Sequence, residues 1–434
     1  SEMCIRDRAK MSLGLKKPQK ITPYTPFNSL NIWHLFCLSR QCSIVATSMT
    51  AGKTPTQHPT QPLNRLVGET SGAFADLGTF LPLVLGLIAL NQFSPQGIFL
   101  GFGLFAIFSA LFYRRPIPVQ PMKVIAALVI AQGLTPGMLQ ASAMLMGIIL
   151  LILAFSGAIT WLAKQLSQAV SVGIQLAIGL QLMWMGTKMM SDFWLLGLGA
   201  FALLFVSKFL PLRYLAMPLV IAAGMLWQAN SQTEITSSLT IPALSASLHL
   251  AWPSLNEWSS AAILLVLPQL ALTLTNAVIA TSAMAQEKFP EDAAKLTPKN
   301  LAISSGLANL LLAPFGAAAM CHGAGGLAVQ YHFGARTHLA PLIFGGTCVV
   351  IALFWDSQMA WLLGLIPVAI LGSLLSIGGL QLAWSKRLID GKPFCIFVIL
   401  STAVTCLAIN AAAGLAVGIL LEQGRRTWAM LAMR

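Results

Sequence analysis

The chain has 434 residues, of which 56% are hydrophobic and only 9% are charged. An ordinary soluble domain carries roughly 25% charged residues, so this composition excludes a surface covered by water and predicts one covered by lipid. The formal net charge of +13 would suit a nucleic-acid partner, but the basic residues lie scattered between apolar runs, as in the loops of membrane proteins. The seven cysteines show no CxxC spacing, so we expect neither disulfides nor a structural metal.

Residues 1–62 differ from the rest of the chain. They are basic, contain several prolines and have no apolar run long enough to cross a bilayer. Their basic, Ser/Thr-rich composition is compatible with a transit peptide. The simpler interpretation is a disordered tail, or upstream sequence translated in front of a start at Met49. We expect little order in this tail.

From Asn64 onward, apolar runs alternate with short polar breaks. A spanning helix needs about 20 residues, and about fourteen segments qualify as spans or parts of spans. The predicted segments are 66–90, 97–113, 121–133, 138–162, 169–187, 192–209, 214–228, 259–285, 299–314, 321–333, 338–355, 359–384, 393–409 and 411–423.

The third and tenth segments are too short to cross a membrane alone, and they occupy equivalent positions in two sets of seven. Such a matched pair of interrupted segments is typical of an inverted repeat with a central substrate site. The predicted fold class is an all-α polytopic membrane protein with a seven-plus-seven inverted repeat and two half-helices. The first repeat covers 63–228 and the second 259–434, with an extracytoplasmic loop at 229–258.

Basic residues follow the even-numbered segments, whereas the loops after odd-numbered segments are nearly free of them. The exception is Lys188, which has Asp192 close by. Even-numbered boundaries all lie on one side of the membrane, so the positive-inside rule places both termini in the cytoplasm. We expect a multi-pass protein of a bacterial inner (plasma) membrane.

The stretch PIPVQPMKVIAA (Pro116–Ala127) combines prolines and a lysine within an apolar region. Proline disfavours helical geometry in the residue before it, so we expect extended chain that enters a helix at Pro121. The unpaired N–H groups of a helix that starts at membrane depth would face a cavity and favour an anion. Gln120 adds an amide donor. Lys123 adds a full positive charge, which costs about 2.5–3.5 kcal/mol at the centre of a membrane. The alternative is that Lys123 extends to the cytoplasmic surface or pairs with a structural carboxylate.

The second stretch is AMCHGAGGLAVQ (Ala319–Gln330). Gly323, Gly325 and Gly326 would let the backbone approach a ligand and offer N–H groups to an anion. His322 could donate a hydrogen bond to an oxyanion or relay a proton. The alternative is a structural histidine, with glycines that only let helices pack closely.

Two carboxylates lie in the first segment, Glu69 and Asp76, seven residues apart and so on one helix face. Carboxylates within a membrane are costly, so we expect both to face the protein interior. Either could neutralise Lys123 in the empty site or carry a proton. Glu69 could instead be a plain helix-start residue at the membrane interface.

The eighth segment carries Gln269 and Asn276, also seven residues apart. Their amides could bind substrate oxygens as neutral donors. The alternative is hydrogen bonding between helices.

Signatures of an enzyme are missing from the sequence. It contains no GxxxxGK[ST] phosphate-binding loop and no HExxH motif, and no nucleophile–base pair or metal cluster suggests itself. We therefore predict a protein that is not an enzyme and that needs no cofactor.

Three motifs carry a resemblance to a known family: GAFADLGTF, PVQPMKVIAA and CHGAGGLAVQYHFGAR. Together they resemble the molybdate transporter family that is related to SulP sulfate permeases, over about residues 64–423. The resemblance implies the seven-plus-seven fold, a core domain that moves against a gate domain, and uptake of molybdate. By motif, it assigns the site to Asp76, Gln120, Lys123, Cys321, His322, Gly323, Gly325 and Gly326. The chain has Ala319 where the family usually has proline, and His332 where it usually has arginine.

The sequence thus leads to one working hypothesis. The protein is a secondary transporter that imports molybdate by alternating access, with tungstate or sulfate as further candidate substrates. Lys123 supplies charge, while Gln120, His322 and Asn276 supply hydrogen-bond donors. Asp76 and Glu69 are candidates for proton coupling. The alternative is a sulfate or nucleobase permease of the same fold, and a homodimer is suggested only by analogy with related folds.

Overall fold

The computed structural model describes residues 62–91, 93–165, 167–207, 209, 213–230, 252–354, 364–385 and 392–431. These residues belong to one compact unit. The predicted tail up to residue 61 and most of the predicted loop at 229–258 lie outside the described residues, as does the start of the twelfth predicted segment.

The described chain is built almost entirely of helices, joined at its centre by two very short strands. The first half contains α1 (Pro62–Phe74), α2 (Leu77–Asn91), α3 (Pro95–Tyr113), β1 (Gln120–Pro121), α4 (Lys123–Gln132), α5 (Pro136–Ser156), α6 (Ile159–Gln165), α7 (Gln168–Met189), α8 (Trp194–Ser207) and α9 (Arg213–Asn230). The second half contains α10 (Leu255–Lys288), α11 (Pro298–Leu312), β2 (Met320–Cys321), α12 (Ala324–His332), α13 (Leu339–Leu353), α14 (Val368–Ala383), α15 (Pro393–Ala408) and α16 (Ala411–Leu431).

Five stretches of the described chain are long and apolar enough to cross a membrane as single helices. They are Arg65–Asn91, Pro95–Tyr113, Pro136–Ser156, Gln168–Met189 and Leu255–Lys288. Several further apolar helices have between 10 and 17 residues. The prediction of an all-α membrane protein with several spans is confirmed, whereas the count of fourteen and the division into repeats at 228 and 259 stay predictions.

Three helices, α3, α5 and α11, begin with the same local signal, a serine or threonine followed by proline. The hydroxyl oxygens of Ser94, Thr135 and Thr297 accept backbone N–H bonds in the first turns of α3, α5 and α11, at 3.3, 3.3 and 3.2 Å. Such residues satisfy N–H groups that the helix itself leaves free, and proline fits the first turn because no N–H is needed there. These starts lie within two residues of the predicted ones.

The two segments predicted to be short form α4 and α12, of 10 and 9 residues. The predicted helix start at Pro121 is wrong, because that residue lies in β1 and the helix begins two residues later. The strands pair antiparallel, with Gln120 opposite Cys321 and Pro121 opposite Met320. A further bond from the Met122 N–H to the Ala319 carbonyl oxygen, 2.8 Å long, extends the contact. The pairing therefore sets the starts of α4 and α12 beside each other in the protein interior.

The helices form two groups. In the first group α13 packs on α1 and α3, and α11 packs on α5. The helices α2 and α4, which pack on each other, also belong to this group, as do α10 and α12. In the second group α7 packs on α14 and α15, while α8 packs on α14 and α16 on α15. The groups meet where α2 contacts α14 and where α4 contacts α7. Both strands and both short helices belong to the first group.

The long helix α10 is not a regular α-helix throughout. Residues 262–266 and 273–280 are wound as π-helix, with a wider turn. Short π-helical stretches occur frequently at functional sites, because the extra residue redirects side chains. The second of these stretches carries Thr273 and Asn276 toward the start of α4.

Close packing between α7 and α14 depends on glycine, and this gives a test of the fold. A β-carbon at Gly179 would lie 2.5 Å from the Gly379 carbonyl oxygen and 2.7 Å from the Ala383 nitrogen. We expect Gly179→Ala to lower the melting temperature in detergent. Overpacking costs about 1–3 kcal/mol, against a gain of at most about 1 kcal/mol in helix propensity.

The matched control is Gly199→Ala in α8, where a β-carbon would meet nothing within 4 Å. This variant should unfold at or above the wild-type temperature. Equal melting temperatures for the two variants would contradict the packing of α7 on α14.

Candidate functional site

A cavity of about 220 Å³ lies between the two groups of helices. The first group lines it with Asp76, Thr79, Leu83, Lys123, Gly325, Gly326 and Val329. The second group lines it with Gln175, Leu182, Gly378, Gln381 and Leu382. A pocket between two separately packed bodies, with a few polar groups on apolar walls, is the usual setting of a small-molecule site.

Lys123 is the cationic side chain of this cavity. It is the first residue of α4, so its position follows from the strand pairing that ends two residues earlier. Its ammonium group makes no hydrogen bond or ion pair with any described residue, although its charge acts on Asp76 and Cys321 nearby. A half-buried ammonium group without a direct partner can take up an anion without first breaking an ion pair.

Asp76 lies at a break between α1 and α2. Its carbonyl oxygen accepts the N–H groups of Thr79 and Phe80, at 3.0 and 3.2 Å, and so starts α2. Its carboxylate accepts hydrogen bonds from the side chains of Gln120 and Thr79. The break thus turns a carboxylate into the cavity on the same wall as Lys123.

Gln120 links the first helix break to the second half of the chain. Its amide nitrogen donates to the Asp76 carboxylate, and its amide lies directly over Gly323 and Gly326. A β-carbon at Gly326 would stand 2.5 Å from the Gln120 nitrogen and 2.8 Å from the Asp76 oxygen. By contrast, a β-carbon at Gly325 would meet nothing within 4 Å. Gly323 and Gly326 therefore make room for side chains, whereas a side chain at Gly325 would enter open space.

The starts of the two short helices differ in how their N–H groups are used. Gln269 of α10 accepts the N–H groups of Val124 and Ile125 with its side-chain oxygen, at 2.9 and 3.3 Å, and closes the start of α4. The start of α12 has Gly323 as its N-cap residue and no side-chain cap. The expectation that the N–H groups at the start of α4 face an anion is therefore corrected, because the Gln269 side chain occupies two of them.

His322 does not present a free donor. Its Nδ1 lies 2.9 Å from the Pro118 carbonyl oxygen and its Nε2 lies 2.8 Å from the Ser304 hydroxyl, and the ring is fully buried. Because a carbonyl oxygen only accepts, Nδ1 carries a hydrogen. Tyr113 continues the chain with a 2.7 Å bond to Ser304. The structure thus places His322 in a hydrogen-bonded network behind the strands.

Asn276 lies beside a second, much smaller cavity of about 10 Å³. Gln120, Lys123, Gln269, Thr273 and His322 also line it. Lys123 therefore borders both cavities, while Asn276 lines only the smaller of the two. A polar space of this size is at the lower limit for a single water molecule.

Glu69 lies away from both cavities. One carboxylate oxygen accepts three hydrogen bonds: from the Arg336 N–H at 3.0 Å, and from the N–H and hydroxyl of Thr337 at 2.9 Å each. The side chain is fully buried, so it is neither a cavity residue nor an exposed helix start. It holds α1 to the loop between α12 and α13.

Three polar residues that line the cavity were not predicted as site residues: Thr79 near Asp76, and Gln175 and Gln381 on the wall formed by the second group of helices. The available signal was a polar side chain within an apolar helix. Nothing in the spacing showed that α7 and α14 face Lys123, since that contact is made between distant parts of the chain.

These features define a class of protein. Several apolar spans, interrupted helices that meet in the interior and a cation-bearing cavity between two helix groups are typical of a membrane transporter. The chain is a multi-pass integral membrane protein.

Comparison with known families shows which family of membrane proteins the chain belongs to. Residues 68–182 and 261–382 match the family described as "Molybdate transporter of MFS superfamily". The chain belongs to this family, and the resemblance found in the sequence is confirmed.

Curated relatives are similar over most of their length. Molybdate transporter 2 of Arabidopsis thaliana is 29% identical over 409 residues, which cover 82% of this chain and 87% of that protein. Molybdate transporter 1 of Chlamydomonas reinhardtii is 29% identical over 473 residues, which cover 81% and 90%. These relatives are transporters, in keeping with the prediction that the chain is not an enzyme.

Solved structures show the same fold. The transmembrane domain of the cyanobacterial bicarbonate transporter BicA matches with a TM-score of 0.56 at 16% identity, over 81% of this chain and 97% of that one. Murine Slc26a9, an anion transporter in the inward-facing state, matches with a TM-score of 0.63 at 14% identity, over 95% and 77%. The fold is therefore that of SLC26-type transporters, as the likeness to SulP permeases implied.

The fit of Gln120 over Gly323 generates a test of the site. A methyl group at residue 323 would collide with the Gln120 amide and push it from Asp76. We expect Gly323→Ala to lower stability, and to cost much less when Gln120→Ala has already removed the amide. Residues in direct contact couple by roughly 0.5–3 kcal/mol in such cycles. Thermal unfolding of the four proteins in detergent measures this coupling.

Gly325→Ala is the control for that cycle, because its methyl group has room. It should show no coupling to Gln120→Ala. Additive effects of Gly323→Ala and Gln120→Ala would show that the amide does not lie where the structure places it.

Proposed function

We propose that this protein imports molybdate into the cytoplasm by alternating access, with the oxyanion bound in the 220 Å³ cavity. The observation that carries the proposal is the unpaired ammonium group of Lys123, which borders this cavity beside the uncapped start of α12. Family membership and the relatives named as molybdate transporters support the choice of substrate.

The wall of the cavity formed by the first group of helices has the chemistry to bind a tetrahedral oxyanion. Lys123 supplies a full charge, and the first N–H groups of α12 supply donors at the positive end of a helix. Gly325 leaves open space beside the first turn of α12, since a β-carbon there would meet nothing within 4 Å. An anion held this way exchanges water for fixed donors and one cation.

The charge of Asp76 favours proton coupling. In the empty site, the positive charge of Lys123 balances the negative charge of Asp76. A bound dianion would use the Lys123 charge, and the Asp76 carboxylate would then lack a compensating cation. Two like unit charges about 4 Å apart repel by about 4 kcal/mol at an effective dielectric constant of about 20. A proton on Asp76 removes this repulsion, and the substrate then enters together with a proton. Glu69 has no part in this step, because it lies away from the cavity.

The position of the cavity supports alternating access. Its walls come from two groups of helices, so a shift of one group against the other opens or closes it. Small residues lie at this contact: a β-carbon at Gly378 would stand 3.1 Å from Pro82 of α2. We further propose that both termini face the cytoplasm, on the strength of the basic loops after even-numbered segments.

The first test of the function concerns Lys123. We expect cells that express the chain to accumulate radiolabelled molybdate, and Lys123→Ala to reduce the initial rate at least tenfold because the anion loses its cation. Lys188→Ala is the control, since Lys188 lies over the Trp184 ring outside the cavity. Tungstate, sulfate and uracil are added as competitors.

The competitors decide the substrate class. Competition by tungstate, with weak effects of sulfate and uracil, supports molybdate. Uptake of sulfate or uracil in place of molybdate would overturn the proposal in favour of another permease. Equal rates for Lys123→Ala and Lys188→Ala would remove Lys123 from the site.

The second test concerns the proton. In proteoliposomes, an inward proton gradient should increase molybdate uptake by the wild-type protein, and Asp76→Asn should take up molybdate without this response. Glu69→Gln provides the matched control, because Glu69 is the other carboxylate of the same predicted segment and does not line the cavity. It should keep the response to the gradient. Wild-type uptake that is unchanged when the gradient collapses would rule out proton symport.

A further inference from the structure

We propose that Gln381 is a substrate-binding residue, contributed by the second group of helices, whose amide donates to the oxyanion held at Lys123. This inference rests on the proposed function and adds a contact that neither the motifs nor the family match assigns. It concerns the wall of the cavity that faces Lys123.

Gln381 has a free amide. It lies near the end of α14, lines the cavity and is exposed to it, and makes no hydrogen bond with any described residue. An amide within an apolar helix gains little from facing lipid or empty space, since an unpaired polar group away from water is costly. Its two N–H groups are therefore available to a ligand.

The other glutamine of this wall differs in this respect. The Gln175 amide nitrogen donates to the carbonyl oxygen and hydroxyl of Ser171, at 3.2 and 3.3 Å. Those bonds occupy its donor nitrogen. Of the two amides on this wall, Gln381 is the one with unused donors.

The position of Gln381 brings it close to the charged wall. A β-carbon at Gly78 of α2 would lie 3.6 Å from the Gln381 amide nitrogen and 3.9 Å from its oxygen. Gly78 is two residues from Asp76, so the amide of one helix group lies at the edge of the other. The cavity of about 220 Å³ is smaller than the 300–1,000 Å³, roughly, of drug-sized sites. An oxyanion beside Lys123 thus lies within reach of the opposite wall.

A neutral donor suits the chemistry of this position. An amide N–H stabilises an oxyanion without adding a second cation, so the anion is not held too tightly to leave. Because Gln381 belongs to the other helix group, its contact strengthens when the groups close on the substrate and weakens when they separate. It thereby links occupancy of the site to the position of the two groups.

The test compares molybdate uptake by wild-type protein, Gln381→Met and Gln381→Asn in proteoliposomes. We expect Gln381→Met to raise KM at least tenfold, since it keeps the length of the side chain but removes the donors. Gln381→Asn keeps a donor on a shorter side chain and should raise KM less. Gln423→Met is the control, because that glutamine lies exposed on α16 outside the cavity.

A second measurement does not depend on transport. Gln381→Cys is labelled with a thiol reagent, and molybdate should slow the labelling at least threefold, whereas the same protein without this change gives the background from native cysteines. Unchanged KM in Gln381→Met, or labelling that molybdate does not slow, overturns the assignment while wild-type uptake upholds the proposed function. Wild-type protein that neither transports molybdate nor binds it overturns both.

Discussion

The antiparallel contact between β1 and β2 is the interaction on which the rest of the structure depends. Backbone groups at membrane depth must be paired, because lipid offers them no partner. Backbone groups of Gln120–Pro121 and Met320–Cys321 pair with each other, although about 200 positions separate them along the chain. Their register fixes where α4 and α12 begin, and thereby the places of Lys123 and of the open glycine at 325.

The two short helices begin side by side, but their first N–H groups are used differently. At α4, the Gln269 side chain occupies the first N–H groups, so this end is structural and the lysine beside it supplies the charge. At α12, the N-cap is glycine and no side chain closes the end. The buried hydrogen-bonded network of His322 and Ser304 is likewise structural, because it supports the strands and does not line the larger cavity.

The cavity joins two bodies that are each packed more tightly within than against one another. One wall carries the ionisable pair, Lys123 and Asp76, and the other carries neutral amides. Both charges lie on the wall that holds the strands, so the strand pairing and the Gln120–Asp76 hydrogen bond fix their positions relative to each other. The described residues of the opposite wall carry no charge, so contacts with that wall involve no separation of charges in a low dielectric.

The sequence alone determined the membrane class, the short third and tenth segments, and the stretches that carry Asp76, Gln120 and Lys123, since these follow from local hydropathy, proline placement and motif. It misplaced the start of α4, because Pro121 is held in a strand by a partner 199 positions further along the chain. Only the tertiary structure decided that Glu69, His322 and Gln269 are bound within the protein and that Gln381 faces the site. Each of those roles depends on which distant backbone or side-chain group lies within hydrogen-bond distance, and no local pattern specifies that.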